Sequence, residues 1–154
     1  MSLGPSVVSL DEQGHRAVDV ARWGGLARTV LAAEGVEDDA ELNLTFIDID
    51  EMTSLNEQHM DGTGPTDVLS FPLDDAESTM FEGQTRLLGD VLICPEVVEA
   101  QAPGRYDDEM ALMVVHGVLH ILGHDHYEPE ETAVMKAAEA RHLEAWTVAE
   151  AEGS

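Results

Sequence analysis

The chain is poor in positive charge. Its 154 residues include 7 lysines and arginines against 32 aspartates and glutamates, with no lysine or arginine between Arg28 and Arg86. The formal charge of −25 disfavours strong nonspecific binding to nucleic acid, because few cations are available to displace counterions from phosphate. So acidic a chain indicates either a solvated surface suited to a salty cytoplasm or attraction to basic partner proteins.

Cysteine and long apolar runs are also scarce. The single cysteine, Cys94, excludes an internal disulfide and lies in an apolar, strand-like segment, so we expect a buried, unreactive thiol. The longest apolar run, residues 110–122, is too short to span a membrane and contains His116 and His120. The N-terminus lacks the basic start and apolar middle of a signal peptide. We therefore expect no membrane association and a cytoplasmic location.

Length and a hydrophobic content of 44% fit one domain over residues 1–154, of which we expect 1–6 to be disordered or foreign to the domain. Alternation of apolar and polar residues predicts strands at 7–10, 41–50, 66–72 and 87–95. Helical spacing predicts helices at 18–34, 107–122 and 129–149, a turn at 97–102, and a short helix capped by Asp50. Strands and helices mix without strict alternation, which predicts an α+β fold: a small mixed sheet packed with helices.

The most informative stretch has four histidines within eleven residues, at 116–126. His116 and His120 are four residues apart, so on a helix their rings lie on one face and reach one point. Gly123 is suited to ending that helix, which lets the chain turn back and bring His126 to the same point. Three imidazoles with an open fourth position are typical of a catalytic zinc site. The helix over 107–122 is thus the expected central, metal-binding helix.

Two neighbours of these ligands have other expected roles. His124 lies on the turn and is expected to face solvent, since three ligands already leave one open position. Asp125 adjoins His126 and is expected to orient that ligand or to brace the turn. The pattern resembles the zincin motif, in which a glutamate follows the first histidine and serves as general base. Gly117 occupies that position, so a peptidase is a less favoured interpretation of this sequence.

The same stretch resembles the signature of the YbeY family of bacterial rRNA maturation factors. The likeness extends to Leu55 and Asn56, to Pro-Thr-Asp-Val-Leu-Ser-Phe-Pro at 65–72 and to Leu-Gly-Asp-Val at 88–91, covering about residues 42–135 in order. The resemblance implies an α+β domain, one zinc ion held by His116, His120 and His126, and endoribonuclease activity on single strands. It also implies a cytoplasmic role in 16S rRNA 3′-end processing and ribosome quality control, with the small ribosomal subunit as partner.

One departure from the family concerns phosphate binding. The family has an arginine shortly after the Leu-Asn pair, and the corresponding residue here is Met60. Stabilising charge on a phosphate calls on cations or a metal. The zinc and His59 would then carry more of this task, or Arg86 or Arg105 would have to fold into the cleft.

Three functions are weighed. In a zinc-dependent endoribonuclease, zinc-activated water would deprotonate a 2′-OH or attack phosphorus, with Asp67 and Asp125 as weak candidates for the base. His116, His120 and Asp125 would then form the catalytic group. The second hypothesis is an assembly factor with a mainly structural zinc, which binds basic ribosomal proteins or a ribosome-associated GTPase. The third is a metallohydrolase of peptides or small esters.

Overall fold

The structure is a computed structural model that describes residues 4–36, 39–59, 62–73, 86–123 and 129–153. Within these ranges the chain forms four strands and five helices, in the order β1 (Ser6–Glu12), α1 (Val20–Ala33), β2 (Ala40–Ile47), α2 (Ile49–His59), β3 (Val68–Pro72), β4 (Arg86–Ile93), α3 (Pro95–Gln101), α4 (Tyr106–Ile121) and α5 (Pro129–Gly153). This is the α+β class that the sequence predicts.

The described strands form one mixed sheet in the order β1-β2-β4-β3. β1, β2 and β4 are parallel, and β3 runs antiparallel to β4 along one edge. Leu44 lies opposite both Ser9 and Val91, so β2 joins the two parallel pairs. Parallel neighbours need a crossover connection, which α1 provides between β1 and β2. The sheet therefore places β3 and β4 side by side, where α4 packs on them.

One face of the sheet carries the main core. Leu42, Leu44 and Phe46 of β2 are fully buried and alternate with half-buried residues, as expected of a strand covered on one face. They pack into one apolar cluster with residues of α1, α4 and α5. Each fully buried side chain of this kind contributes about 1.5–3 kcal/mol. The main core thus holds α4 firmly against the sheet.

The opposite face carries a smaller apolar cluster beneath α2. It consists of Ile47, Met52, Leu69 and Cys94, with Ile49, Leu55, Phe71, Leu92 and Val97 packed against it. Burial raises the pKa of the Cys94 thiol, so the prediction of a buried thiol is confirmed and its thiolate is disfavoured. Elsewhere this face is polar, as where the Asn43 amide donates to Asp90 at 3.0 Å.

Element ends differ from the sequence predictions where a cap competes with the apolar pattern. The strand predicted at 41–50 ends at Ile47, because the Asp48 carbonyl already accepts the Met52 N–H that opens α2. Asp50 consequently lies in the first turn and does not cap the helix. The strand predicted at 87–95 ends at Ile93, since Pro95 takes the first turn of α3.

The remaining elements agree with prediction to within a few residues. α1 begins at Val20 because the Asp19 carboxylate accepts the Arg22 N–H at 3.1 Å. β3 begins at Val68, two residues later than predicted, and α5 continues to Gly153. β1 begins at Ser6, so at least this residue of the first six is part of the sheet. The acidic segment 74–84, for which composition predicts an exposed loop, lies outside the described residues.

α4 is the buried helix that the sequence predicts. Asp107, Asp108 and Glu109 occupy its first turn, where negative charge suits the helix dipole, and the following residues are buried on most sides. Gly123 adopts a φ of 97° and its N–H donates to the His120 carbonyl at 3.0 Å. This is a left-handed glycine just beyond the helix end, so the predicted stop is confirmed.

α5 lies across the outside of α1 and α4. Its inward stripe is formed by Met135, Ala138 and His142, which are buried, and by Trp146, which packs against Trp23 with 5.9 Å between ring centroids. The packing of α5 also brings polar side chains to the C-terminal half of α4.

No described helix is both long enough and apolar enough to span a membrane.

Candidate metal centre

The two predicted ligands on α4 lie together. Their Nε2 atoms are 3.1 Å apart, and their rings meet edge to face with 4.5 Å between centroids. Both side chains are half-buried, at the end of a helix whose other residues are mostly buried. The i, i+4 spacing of His116 and His120 therefore places two imidazole nitrogens at one point, as the sequence predicts.

Glu139 of α5 orients one of these rings. Its Oε2 lies 2.7 Å from Nδ1 of His116, and the Glu139 side chain is 15% exposed. A carboxylate only accepts, so Nδ1 of His116 carries the hydrogen and, in the neutral ring, Nε2 keeps its lone pair. The Nε2–H of His120 can then donate to that lone pair. This carboxylate–histidine arrangement is the one that commonly orients metal-binding histidines.

The donor geometry fits zinc. Zn–N distances of about 2.0–2.1 Å and a tetrahedral angle place two ligand nitrogens about 3.3–3.4 Å apart. The observed separation of 3.1 Å is close to this value. No group of three histidine, cysteine or acidic side chains is gathered for a metal among the described residues, since the third predicted ligand falls in the gap 124–128. Met60, His124, Asp125 and His126 all lie outside the described residues.

A pocket of about 270 Å³ opens beside the first ligand. Its lining consists of His116 from α4 and of Thr132, Met135, Lys136 and Glu139 from α5. The four α5 residues recur at steps of three, one and three, so they share one helical face. The pocket combines a buried apolar wall at Met135 with charged groups at its mouth.

Gly117 has a packing role that the sequence does not reveal. A Cβ built there would lie 2.6 Å from Cγ1 of Val91 and 3.3 Å from Cγ2 of Val68. The Ser70 hydroxyl also donates to the Gly117 carbonyl at 3.1 Å. Position 117 therefore faces the sheet, and a glutamate there could not reach the metal-binding face without lifting α4 from β3 and β4.

Asp67, a candidate general base, is held elsewhere. Its Oδ1 accepts the Val68 N–H at 2.8 Å, and its Oδ2 accepts the Gln101 side-chain amide at 2.8 Å. Gln101 also donates to Glu109, in the first turn of α4. The Asp67 carboxylate is thus engaged with the N-terminal end of α4, about 10 Å along the helix axis from His116, and the structure does not bring it to the histidine pair.

Two of the substitutes considered for the family's arginine, His59 and Arg105, lie away from the histidine pair. His59 packs edge-on against Phe71 at 5.5 Å, and Phe71 points to the opposite face of β3 from Ser70. Arg105 precedes α4 and pairs with Asp108 at 3.8 Å, about 16 Å along the helix axis from His116. The backbone N–H of Arg86, at the start of β4, donates to the Asp39 carbonyl.

Two site residues were missed by sequence reasoning, Lys136 and Glu139. The available signal was the inward stripe of α5, because Glu139 lies one turn beyond the buried Met135 and Lys136 is adjacent to Met135. An acid beside an inward stripe indicates a buried partner. The partner's identity depended on how α5 packs on α4.

The fold and site define a class of protein: a small α+β domain whose buried helix presents two histidines, one of them oriented by a carboxylate from the C-terminal helix. A family model described as endoribonuclease YbeY matches residues 9–147. The endoribonuclease YbeY of Salinispora tropica is 46% identical over 149 residues, covering 90% of this chain and 95% of that protein. The chain belongs to the endoribonuclease YbeY family.

One further relative and one solved structure are also similar to this chain. The endoribonuclease YbeY of Nocardia farcinica is 44% identical over 148 residues, covering 90% of this chain and 80% of that protein. The solution structure of a Thermotoga maritima protein superposes with a TM-score of 0.65, covering 96% of this chain and 93% of the other, at 23% identity. At that identity the superposition supports the α+β fold alone.

Proposed function

We propose that this chain is a zinc-dependent endoribonuclease, specific for single strands, that acts in the cytoplasm in 16S rRNA 3′-end maturation and ribosome quality control. One zinc ion per chain would be held by His116, His120 and His126. The observation that carries the proposal is the histidine pair, with its Nε2 atoms 3.1 Å apart and Glu139 on the far nitrogen of His116. Family membership supplies the reaction class.

Zinc, when bound, would supply a Lewis acid that activates water and polarises a phosphoryl oxygen. The chain's own residues do the rest. Glu139 keeps the proton of His116 on Nδ1, so that Nε2 presents its lone pair towards the site. The buried wall of α4 and Met135 excludes water from behind the pocket. Asp125 is adjacent to His126 in sequence, and we propose it as the carboxylate to test as proton acceptor.

The test is cleavage of single-stranded RNA by zinc-loaded protein, with duplex RNA of the same sequence as comparison. We expect His120→Ala and His126→Ala to lose both zinc, measured by elemental analysis, and cleavage. His15→Ala is a matched control, because His15 contacts Glu99 on the surface and lies far from α4's C-terminal end in sequence. Undiminished cleavage in zinc-free His120→Ala would show that the activity arises elsewhere.

A second candidate function rests on the acidic composition. A net charge of −25 suits an assembly factor that binds basic proteins of the small ribosomal subunit, or a ribosome-associated GTPase. In that case zinc would be mainly structural. A His120→Ala protein that still folds, checked by circular dichroism, would then fail to cleave RNA yet still support ribosome assembly in cells that lack the wild-type gene. Loss of both activities in a folded His120→Ala protein would favour the enzyme.

The third candidate, a hydrolase of peptides or small esters, is weakened further by the packing of Gly117. Since that position faces Val91, the glutamate that zincins use as general base has no place in this helix packing. Peptide hydrolysis without RNA cleavage by zinc-loaded protein would revive this candidate.

A further inference from the structure

The chain has a single lysine, and it lies at the pocket of the histidine site. Lys136 lines the 270 Å³ pocket together with His116 and Glu139. It is exposed, one turn before Ala140 on α5, whereas Met135 beside it is buried. An ammonium group therefore stands at the mouth of the pocket, next to the side chain proposed to hold zinc.

Most of the other cations are already neutralised locally. Four of the six arginines form ion pairs with carboxylates: Arg16 with Glu99, Arg22 with Asp107 and Glu150, Arg105 with Asp108, and Arg141 with Glu34. A guanidinium bound to a carboxylate contributes little to attracting a second anion. These four arginines are thus poor candidates for holding a phosphate.

Lys136 differs from them. Among the side chains that the structure describes, none forms an ion pair or hydrogen bond with its ammonium group, and Glu139 three residues on is engaged with His116. Arg28 is likewise without a described partner, but it lines a separate groove between α1 and β1. Lys136 is therefore an uncommitted positive charge that also faces the site.

We propose that Lys136 binds a backbone phosphate of the RNA substrate and positions the phosphodiester at the histidine site. This inference rests on the proposed ribonuclease function. Two other cationic candidates lie away from this pocket, since His59 packs on Phe71 and Arg105 pairs with Asp108. On a chain of charge −25, an RNA strand is repelled over most of the surface, so an unpaired ammonium beside the pocket favours the approach of a phosphate at that point. Lysine binds phosphate as a point charge.

The experiment compares Lys136→Ala with Arg28→Ala, which remove the same charge from opposite contexts. Binding of a short, labelled single-stranded RNA to zinc-loaded protein is measured by fluorescence anisotropy over a range of salt concentrations. We expect Lys136→Ala to weaken binding roughly threefold to tenfold and to make the slope of log K against log salt shallower by about 0.7. Arg28→Ala should change neither beyond a small effect of net charge. Lys136→Arg should restore binding.

Cleavage kinetics and metal content separate the possible failures. If Lys136→Ala keeps its zinc, we expect KM to rise more than kcat falls. If wild-type protein cleaves RNA and Lys136→Ala matches Arg28→Ala in binding and KM, the role of Lys136 is refuted while the proposed activity stands. If zinc-loaded wild-type protein fails to cleave but Lys136→Ala still binds RNA more weakly than Arg28→Ala, the phosphate contact stands and the proposed activity falls.

Discussion

Two histidine–glutamate pairs join α5 to the rest of the molecule, and they differ in what surrounds the histidine. His116 of α4 meets Glu139 at 2.7 Å, and His142 of α5 meets Glu34, just beyond α1, at 2.6 Å. The two carboxylates are equally exposed, at 15%. His116 is 29% exposed and faces a second histidine and a pocket, whereas His142 is only 5% exposed.

Both histidines are bound to a carboxylate, so this contact does not by itself indicate a metal ligand. At His142 the ion pair closes a helix contact, and Arg141 shares the same Glu34 oxygen. At His116 the carboxylate occupies one ring nitrogen, and the other points at His120. What distinguishes the proposed site is therefore a second donor and an opening to solvent, so that a metal can enter.

The largest expected effect is on zinc affinity, which should fall when His120 is replaced but not when His142 is replaced. Zinc binding to four-ligand sites is worth about 10–16 kcal/mol, or about 2.5–4 kcal/mol per ligand, so His120→Ala should weaken zinc affinity roughly 10²–10³-fold. His142→Ala should leave zinc affinity unchanged, because His142 contacts Glu34 and not the ligand pair. Competition titration with a chromophoric chelator measures both, and equal losses in the two variants would contradict the assignment.

A smaller effect is expected from the carboxylates. Glu139→Gln should weaken zinc affinity about 10–100-fold, the usual cost of removing a group that orients a ligand. Glu34→Gln is the matched control and should leave the affinity unchanged. Glu139→Asp should restore part of it, since the charge is kept. A loss in Glu139→Gln that is accompanied by an equal loss in Glu34→Gln would indicate a general effect on folding.

The third prediction concerns stability, to which the His142–Glu34 pair should contribute more than the His116–Glu139 pair. In metal-free protein, His142→Ala should lower the free energy of unfolding by about 1–2 kcal/mol, because it leaves a mostly buried carboxylate with fewer partners. His116→Ala should cost less, since the His116 ring is 29% exposed. Urea unfolding measures the free energy of unfolding of both variants. A metal-free His116→Ala protein that is less stable than metal-free His142→Ala would contradict this prediction.

The smallest effect concerns the helix that carries the ligands. Gly117→Ala places a methyl group against Val91 and should cost about 1 kcal/mol or slightly more through overpacking. Gly25→Ala in α1 meets nothing within 4 Å and should instead gain about 0.5–1 kcal/mol, since alanine is the better helix former. Thermal unfolding of the two variants should therefore shift in opposite directions.

Glycine packing illustrates what pattern reasoning can supply. Two glycines lie within the helical pattern at 18–34, and this pattern predicts close packing at both Gly24 and Gly25. The prediction holds for Gly24, where a Cβ would collide with Ser9. Gly25 faces open space. Both positions lie within one helical pattern, and only the docking of α1 on β1 distinguishes them. Gly117 is the opposite case. The sequence indicates only that a catalytic glutamate is lacking there, whereas in the structure the glycine allows close contact between α4 and the sheet.

The features that depend on local geometry could be predicted from the order of the residues. The spacing of His116 and His120 placed their rings on one helical face, and the left-handed preference of glycine ended that helix at Gly123. Alternation likewise predicted the buried side of β2. Each of these follows from residues a few positions apart, so that backbone geometry alone relates them.

Contacts between groups that are distant in sequence depend instead on how the helices and strands pack. The strand order placed β4 between β2 and β3, and α4 then docked on β3 and β4 through Gly117. The packing of α5 brought Glu139 to His116 and Lys136 to the same pocket. Local spacing does not predict either contact, because Lys136 and Glu139 lie about twenty positions beyond His116 along the chain. Their helix could also pack on α4 at many rotations about its own axis. The choice among those rotations is made by the buried stripe of α5, through the apolar surface that it removes from water.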